Sequence, residues 1–141
     1  MELPIQAQNL KKYLESSFYD IRKKYNLTMN EILLLIYLLK NKNQNTARDV
    51  VDKINITKSH VSKSVESLVS KGIITRYQDK EDKKIIHLEI LNKDSDIIKD
   101  IEQNNIEINI KILEGIPEED IEVFKKCLKL IIENIYKMLK E

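Results

Sequence analysis

The stretch from Thr57 to Gly72, TKSHVSKSVESLVSKG, restricts the fold more than any other part of the sequence. Thr57 can cap the first turn of a helix, and Gly72 offers the left-handed residue that ends one. Apolar residues recur at helical spacing along one stripe: Val61, Val65, Leu68 and Val69. The opposite side carries short polar and basic groups: Ser59, His60, Lys63, Glu66 and Ser70. The stretch therefore predicts an amphipathic helix that packs on one face only.

A second short helix is predicted immediately before this stretch. Thr46 and Asp49 form a capping-box pattern that opens the segment TARDVVDKI. The residues that would face inward are Val50, Val51 and Ile54. Two short helices this close together predict a helix-turn-helix.

A hairpin is predicted immediately after it. Two runs rich in β-branched residues, 73–77 and 85–90, are joined by the polar segment QDKEDKK. A hairpin in this place is the wing of a winged helix-turn-helix. Taken alone, the polar face of the Thr57–Gly72 helix is most simply a solvated surface, and the neighbouring wing is what favours recognition.

The N-terminal part predicts two further helices. One amphipathic helix is expected from about Ile5 to Tyr25, interrupted at Asn26, with a stripe formed by Leu10, Leu14, Phe18, Ile21 and Tyr25. Thr28 and Glu31 then form another capping-box pattern, which opens the apolar run EILLLIYLLK. A helix that is apolar nearly all round belongs in the middle of a domain.

The C-terminal part predicts two long helices. The first runs from Asn92 to Leu113, ends near Gly115, and has the stripe Ile97, Ile101, Ile108 and Ile112. The second starts with Pro117 at its first position, and its stripe is Ile121, Phe124, Leu128, Ile131, Ile135 and Leu139. These stripes and that of the first helix would bury one another, and an intertwined homodimer is the expected arrangement.

Length and composition fit one domain, mainly α with a small β-hairpin wing (α+β). The 141 residues include only two Gly and two Pro, which favours long helices. The single cysteine, Cys127, excludes an intramolecular disulfide and fits a reducing compartment. No apolar run approaches the roughly 18 residues that span a bilayer, and the N-terminus lacks an export pattern. A cytoplasmic protein without a membrane partner is expected.

Positive charge is concentrated in the middle of the chain. Residues 53–84 contain eight basic and four acidic side chains, whereas residues 92–141 contain eight basic and twelve acidic ones. A basic middle in a balanced chain is typical of a local phosphate-binding surface.

The sequence contains no residue pattern that is typical of a catalytic site or a metal site. His60 and His87 lie on different predicted elements, and together with Cys127 they do not have metal-ligand spacing. Cys127 lies beside an apolar stripe and is expected to pack as a small hydrophobe. No nucleophile with a paired base and no phosphate-binding glycine loop is present. We expect no enzyme activity, no metal and no cofactor.

The order of elements resembles the MarR family of bacterial winged helix-turn-helix transcription regulators. The matching motifs are LTMNEILLLIYL in the central helix, ITKSHVSKSVESLVSKGIITR in the recognition helix and first wing strand, and DKEDKKIIHLEI at the wing. The resemblance covers essentially the whole chain. It divides the single domain 1–141 into a DNA-binding part, 28–91, and a helical dimerisation part, 1–25 and 92–141.

This resemblance implies a homodimer, most often a repressor, that binds double-stranded DNA at a pseudo-palindromic operator. The two recognition helices would enter successive major grooves about 34 Å apart, with the wings in adjacent minor grooves. Many members release DNA when a small-molecule effector binds. Tyr13, Tyr25 and Tyr37 could line an effector pocket, although such stripes are more often plain core. The rival interpretation is a winged-helix protein-interaction adaptor that does not bind DNA, and the basic middle favours DNA.

Two groups of residues are predicted to contact DNA. In the recognition helix, Ser59, His60 and Lys63 can reach base edges, and Thr57, Lys58 and Ser62 are better placed for phosphates. In the wing the predicted contacts are Arg76, Lys80, Lys83 and Lys84. Lys83 and Lys84 replace arginines that are common in the family, and this favours phosphate contacts over bidentate ones. Asp82 is expected to fix the wing tip by pairing with a basic residue.

Overall fold

Helices dominate the computed structural model, which describes residues 1–140. The elements are α1 (Leu3–Ser17), α2 (Tyr19–Tyr25), α3 (Met29–Lys40), α4 (Ala47–Ile54), α5 (Lys58–Ser70), β1 (Ile74–Gln78), β2 (Ile86–Ile90), α6 (Asp96–Ile112) and α7 (Glu118–Leu139). The expected architecture, mainly α with a small β-hairpin, is confirmed. No helix within residues 1–140 is long and apolar enough to cross a membrane. The chain forms two compact units, Met1–Ile106 and a second one that begins at Glu107.

The N-terminal segment is two helices, so the expectation of one helix from Ile5 to Tyr25 is wrong. The chain leaves helical geometry at Phe18, where φ is −96° and ψ is 1°. Phe18 is buried, whereas α1 has no buried residue. The helical spacing of apolar residues continues through Phe18, so the sequence pattern does not indicate that the helix is interrupted there. The end of α2 is as expected, because Asn26 is left-handed with φ of +53°.

Capping residues place the start of α3 and α4 as the sequence predicts. The Thr28 hydroxyl accepts a bond from the Glu31 N–H, and the Thr28 N–H donates to the Glu31 carboxylate, both at 3.1 Å. Thr46 and Asp49 make the same reciprocal pair at 3.0 and 3.2 Å. Each box satisfies two N–H groups that the first turn of a helix would leave without a partner.

The central helix α3 supplies much of the core, as expected for an apolar helix. Its buried apolar residues are Ile32, Leu34, Leu35 and Leu38. In α4, Val50 is buried, and Val51 and Ile54 are half-buried. The two helices thus form a support against which α5 and the hairpin pack.

The hairpin is antiparallel and is extended by a third segment. Ile74 pairs with Ile90, and Gln78 pairs with Ile86. On the outer side of β2, the Leu88 N–H donates to the Asn45 carbonyl at 2.8 Å, and a single bridge joins Thr46 to His87. The loop before α4 is therefore bonded along the wing.

Helix α6 starts at Asp96 and not at Asn92, because the Asn92 side chain accepts a bond from the Asp94 N–H and forms a turn there. Its buried residues are Ile98, Ile101 and Ile108. The predicted stripe was wrong at two places, since Ile97 is half-buried and Ile112 is exposed. Gly115 has the expected positive φ, +79°.

The second unit contains α7, which begins one residue after the expected position because Pro117 is its N-cap. Three acidic residues, Glu118, Glu119 and Asp120, occupy the first turn, where they face the positive end of the helix dipole. No residue of α7 is buried, and the predicted stripe is exposed at Phe124, Leu128, Ile131, Ile135 and Leu139. Cys127 is exposed too. The expectation that Cys127 packs in a core is therefore wrong for the single chain that the structure describes.

Asp100 of α6 accepts hydrogen bonds from two side chains of α2. We expect these bonds to make the stability of the fold decrease at acidic pH. Tyr25 Oη donates to Asp100 Oδ2 at 2.5 Å, and Lys24 Nζ donates to the same oxygen at 3.1 Å. The Tyr25 hydrogen bond, followed by that of Lys24, lowers the pKa of Asp100 below its usual value. A lowered pKa stabilises the folded state above the ordinary Asp pKa, and this contribution is lost as pH falls through the folded-state value.

We therefore expect Asp100→Asn to flatten the fall of the unfolding midpoint between about pH 5 and pH 2, measured by circular dichroism. Asp52→Asn, at an exposed position of α4, is the control and should keep the wild-type slope. Equal pH profiles for Asp100→Asn and wild type would contradict the role of this carboxylate.

Candidate nucleic-acid interface

Helix α5 forms as the sequence predicts at both ends. The Thr57 hydroxyl accepts a bond from the His60 N–H at 3.2 Å. At the other end the Gly72 N–H donates to the Val69 carbonyl and the Ile73 N–H to the Leu68 carbonyl, both at 3.0 Å. This pair of bonds is the Schellman motif, which needs a left-handed residue, and Gly72 supplies it with φ of +71°. Strand β1 begins two residues later, so α5 and the wing are joined by a short, bonded turn.

The predicted apolar face of α5 is packed and the predicted polar face is exposed, and one further residue, Ser64, is buried. Its buried residues are Val61, Ser64, Val65 and Leu68, and Val69 is half-buried. Ser64 is 7% exposed and was missed, because an apolar stripe does not identify a small polar residue that packs. The six positions predicted to contact DNA are all exposed: Thr57, Lys58, Ser59, His60, Ser62 and Lys63.

A buried carboxylate fixes α5 against α3. Glu31, only 3% exposed, uses Oε1 for its capping box. Its Oε2 accepts from Ser67 Oγ at 3.0 Å and from Lys71 Nζ at 3.3 Å. Lys71 Nζ also donates to the Asn26 carbonyl at 2.6 Å. Sequence reasoning identified Glu31 as a cap but not as a buried link, because Ser67 and Lys71 lie 36 and 40 residues away.

An ion pair joins the wing to α5. Arg76 Nη1 of β1 lies 2.8 Å from Glu66 Oε2 of α5. The bond and the charge of Arg76 lower the pKa of Glu66, and Glu66 raises the pKa of Arg76 in the same way. Both side chains are exposed, so the pair adds little to stability. Its effect is to orient Arg76, predicted to contact DNA, towards the recognition helix.

Two aspartates organise the wing tip. Asp79 Oδ2 accepts bonds from the N–H groups of Glu81 and Asp82, both at 3.1 Å. Asp82 Oδ1 accepts from the Lys84 N–H at 3.0 Å. Asp82 therefore has the expected structural place, but its partner is a backbone N–H and not a basic side chain. A short carboxylate in a turn reaches neighbouring backbone donors more easily than a flexible lysine head group.

The lysines of the tip remain available for a ligand. Lys80, Lys83 and Lys84 are exposed, and none of them belongs to an ion pair within residues 1–140. Backbone bonds hold the turn, and the side chains of these three lysines are exposed to solvent.

His87 connects the tip to the loop before α4. Its Nε2 lies 2.7 Å from Asp79 Oδ1, and its Nδ1 lies 2.7 Å from Asn45 Oδ1. The ring stacks on Tyr77, with 5.1 Å between centroids and 19° between planes. The His87 bond, followed by the backbone bonds of the tip, lowers the pKa of Asp79. Sequence reasoning considered His87 only as a metal ligand, because nothing in the sequence brings Asn45 next to β2.

A small cavity of about 160 Å³ lies beside this contact. Leu38, Lys42, Asn45, Tyr77 and Glu89 are among its lining residues. None of the three tyrosines proposed for an effector pocket lines it. Tyr25 binds Asp100, and Tyr37 Oη donates to the Gln44 carbonyl at 2.6 Å.

Comparison with known proteins gives a consistent result for the fold. The family model described as sugar-specific transcriptional regulator TrmB matches residues 21–88, which are α2 through most of the wing. The HTH-type transcriptional regulator BilQ of Clostridioides difficile is 29% identical over 94 residues, 67% of this chain. The match covers 60% of BilQ, so the chain spans less than two thirds of that relative's length.

Two solved structures match nearly the whole chain. MepR of Staphylococcus aureus in its DNA-binding conformation has a TM-score of 0.84 at 16% identity, covering 96% of this chain and 99% of MepR. A MarR family regulator of Listeria monocytogenes, complexed with a 26mer DNA, has a TM-score of 0.84 at 23% identity, covering 97% of this chain and 91% of that one. The likeness therefore extends beyond the segment matched by the family model to the terminal helices. The chain has the winged helix-turn-helix fold of the MarR regulators, as the sequence motifs predicted.

Proposed function

We propose that this chain is a MarR-type transcription regulator that binds double-stranded DNA through α5 and the wing. The observation that carries the proposal is a set of exposed polar and basic side chains on two elements that pack against each other, α5 and the wing. It combines the exposed start of α5 with a wing tip whose Lys80, Lys83 and Lys84 are exposed. The DNA complex of the Listeria regulator with the same fold supports this use of the surface.

The residues of α5 divide into two roles in this proposal. Ser59, His60 and Lys63 face outward near the start of the helix, where a recognition helix reaches base edges. Thr57, Lys58 and Ser62 contact phosphates. Because the Thr57 oxygen is already an acceptor for the His60 N–H, its O–H group is the part that can donate to a phosphate.

The wing contacts differ in strength. Lys80, Lys83 and Lys84 bind phosphate or the minor groove as point charges. Arg76 is held by Glu66, so we assign it a smaller share of the contact.

Homodimerisation is also part of the proposal. The exposed apolar stripe of α7 and the exposed apolar residues of α1, such as Leu3, Ile5 and Leu10, would be buried by a second copy. In this division residues 28–91 bind DNA, and residues 1–25 and 92–141 form the dimer. Repression and release by a small-molecule effector rest on the resemblance to the family alone.

Selection of bound duplexes from a random pool, at a stated salt concentration, tests the proposal. We expect enrichment of a pseudo-palindrome with half-site centres about 10 base pairs apart, the spacing that a symmetric dimer requires. No enrichment and no salt-dependent binding would favour the adaptor interpretation instead.

The same selection with Lys63→Ala tests base recognition. We expect the preference for the enriched site over random DNA to fall by about 5- to 150-fold, since a base contact provides about 1–3 kcal/mol of discrimination. Lys99→Ala, at an exposed position of α6, removes the same charge and should leave the preference unchanged. An equal loss of affinity for both kinds of DNA would show that Lys63 contacts phosphate and not a base.

A further inference from the structure

We propose that the cavity between the wing and the loop after α3 binds a small organic acid in its carboxylate form, and that Lys42 and Lys93 hold the carboxylate. We call this site the Lys42–Lys93 cavity. It lies inside the compact unit Met1–Ile106. The proposal does not depend on DNA binding.

The packing of β2 against α3 brings the two lysines together. Lys42 follows the end of α3, and Lys93 follows β2 in a turn that the Asn92 side chain stabilises. The Leu88 N–H of β2 donates to the Asn45 carbonyl at 2.8 Å, which bonds the strand to the loop after α3. As a result, both lysines line the same cavity although they are distant in the sequence.

The two lysines form a like-charged pair. The Lys42 side chain lies within hydrogen-bonding reach of Lys93, and this contact, followed by desolvation, lowers the pKa of Lys93. Glu89 and Glu102 act in the opposite direction, but each has a smaller effect. None of the ion pairs within residues 1–140 includes Lys42 or Lys93. An anion bound by both ammonium groups would replace their repulsion with two charge-assisted hydrogen bonds.

Part of the cavity wall is apolar, and this sets the size and character of the ligand. Leu38, Leu88 and Ile90 line the cavity and are all buried. The cavity volume is about 160 Å³, and an apolar cavity of similar size holds a molecule as large as benzene. The ligand therefore has a short apolar body in addition to its anionic group, which distinguishes it from an inorganic ion or a phosphate of the DNA backbone.

The charge of the lining residues favours a carboxylate. Two lysines and one glutamate, Glu89, line the cavity, which gives a net charge of +1. A carboxylate carries one negative charge and neutralises this site. A phosphate monoester carries about −1.5 to −2 at neutral pH and would place excess negative charge beside Glu89.

Titration with sodium pentanoate, followed by NMR spectroscopy of the backbone amides at neutral pH and constant ionic strength, tests the proposal. We expect saturable binding with a Kd on the order of 1 mM, since the ligand has only about seven non-hydrogen atoms. Pentanamide has the same size and no charge, and it should bind at least about 10-fold more weakly because it lacks the charged hydrogen bonds. Inorganic phosphate lacks the apolar body and should also bind more weakly than pentanoate.

Three variants locate the binding site. Lys42→Met and Lys93→Met keep the length of the side chain and remove its charge, and each should weaken pentanoate binding at least about 10-fold. Lys99→Met is the matched control, because Lys99 is an exposed lysine of α6 that does not line the cavity. It should keep the wild-type affinity.

Pentanoate should also change two local properties of the wild-type protein. The pKa of Lys93, followed by the NMR shift of its side-chain carbons, should rise on binding because the carboxylate offsets the repulsion by Lys42. Hydrogen exchange of the Leu88 amide should become slower, since Leu88 and its acceptor residue Asn45 both line the cavity. Occupancy of the cavity would therefore stabilise the wing in its position against the loop after α3.

Three results would overturn the proposal. They are equal binding of pentanoate and pentanamide, wild-type affinity in both cavity variants, and binding of inorganic phosphate as tight as that of pentanoate, which would mean that the apolar wall has no role. None of these measurements contains DNA, so their failure leaves the proposed function unaffected. Absence of duplex binding by the wild-type protein would overturn the proposed function and leave this site unaffected.

Discussion

Replacing Glu31 with Ala is expected to lower the free energy of unfolding by about 3 kcal/mol. The substitution removes the capping box of α3 and leaves Ser67 and Lys71 without the carboxylate that both contact. Deleting one partner of a buried charged contact costs more than the contact contributes, because the remaining polar groups stay out of water. Urea unfolding followed by circular dichroism measures the change.

Two further variants test whether the loss of stability comes from the contacts of the Glu31 carboxylate. Glu15→Ala removes an exposed carboxylate from α1 and should change stability by less than about 0.5 kcal/mol. Glu31→Gln keeps the size of the side chain and loses the charge opposite Lys71, so it should lie between wild type and Glu31→Ala. A loss below about 1 kcal/mol for Glu31→Ala would mean that the network does not hold α5 in place.

The double substitution Lys83→Ala with Lys84→Ala is expected to weaken binding to every duplex, cognate or random, by on the order of 10- to 100-fold at 0.1 M salt. Each phosphate contact releases about one condensed counterion, so the slope of log affinity against log salt should become shallower by about two units for each bound chain. Fluorescence anisotropy over a series of salt concentrations gives both quantities.

The control for this experiment removes the same charge elsewhere. Lys11→Ala with Lys12→Ala changes two exposed lysines of α1 and should leave the slope as in wild type. A double wing variant whose slope equals that of wild type would refute phosphate contacts by the wing. Preserved folding of the wing variant is expected, because the tip is held by backbone N–H groups and not by its lysine side chains.

Local sequence signals predicted the elements around the site well. Thr28, Thr46 and Thr57 mark the starts of α3, α4 and α5, because a cap acts within one turn and needs no distant partner. The exposed positions of α5 followed from helical periodicity for the same reason. Gly72 was predicted at the end of α5 because few other residues adopt a positive φ without strain.

Features that depend on distant contacts were not predicted. The break at Phe18, the face of α6 and the exposure of Cys127 depend on which surface is covered, and periodicity does not specify this. The bonds of Glu31 to Ser67 and of His87 to Asn45 join residues 36 and 42 positions apart. Sequence reasoning thus predicted which side chains of α5 are exposed, but not the polar contacts made by Glu31 and His87.

The short turn between α5 and β1 determines how the interface would meet DNA. Because the Schellman bonds at Gly72 lead directly into the paired strand, we expect α5 and the wing to move together as one rigid unit. A rotation of α5 that retracts its side chains from a major groove would also withdraw the wing from its minor groove. The conformational entropy of ordering α5 and the wing is therefore lost during folding and not during association with DNA. Because binding then carries a smaller entropy cost, more of the free energy of the contacts contributes to affinity.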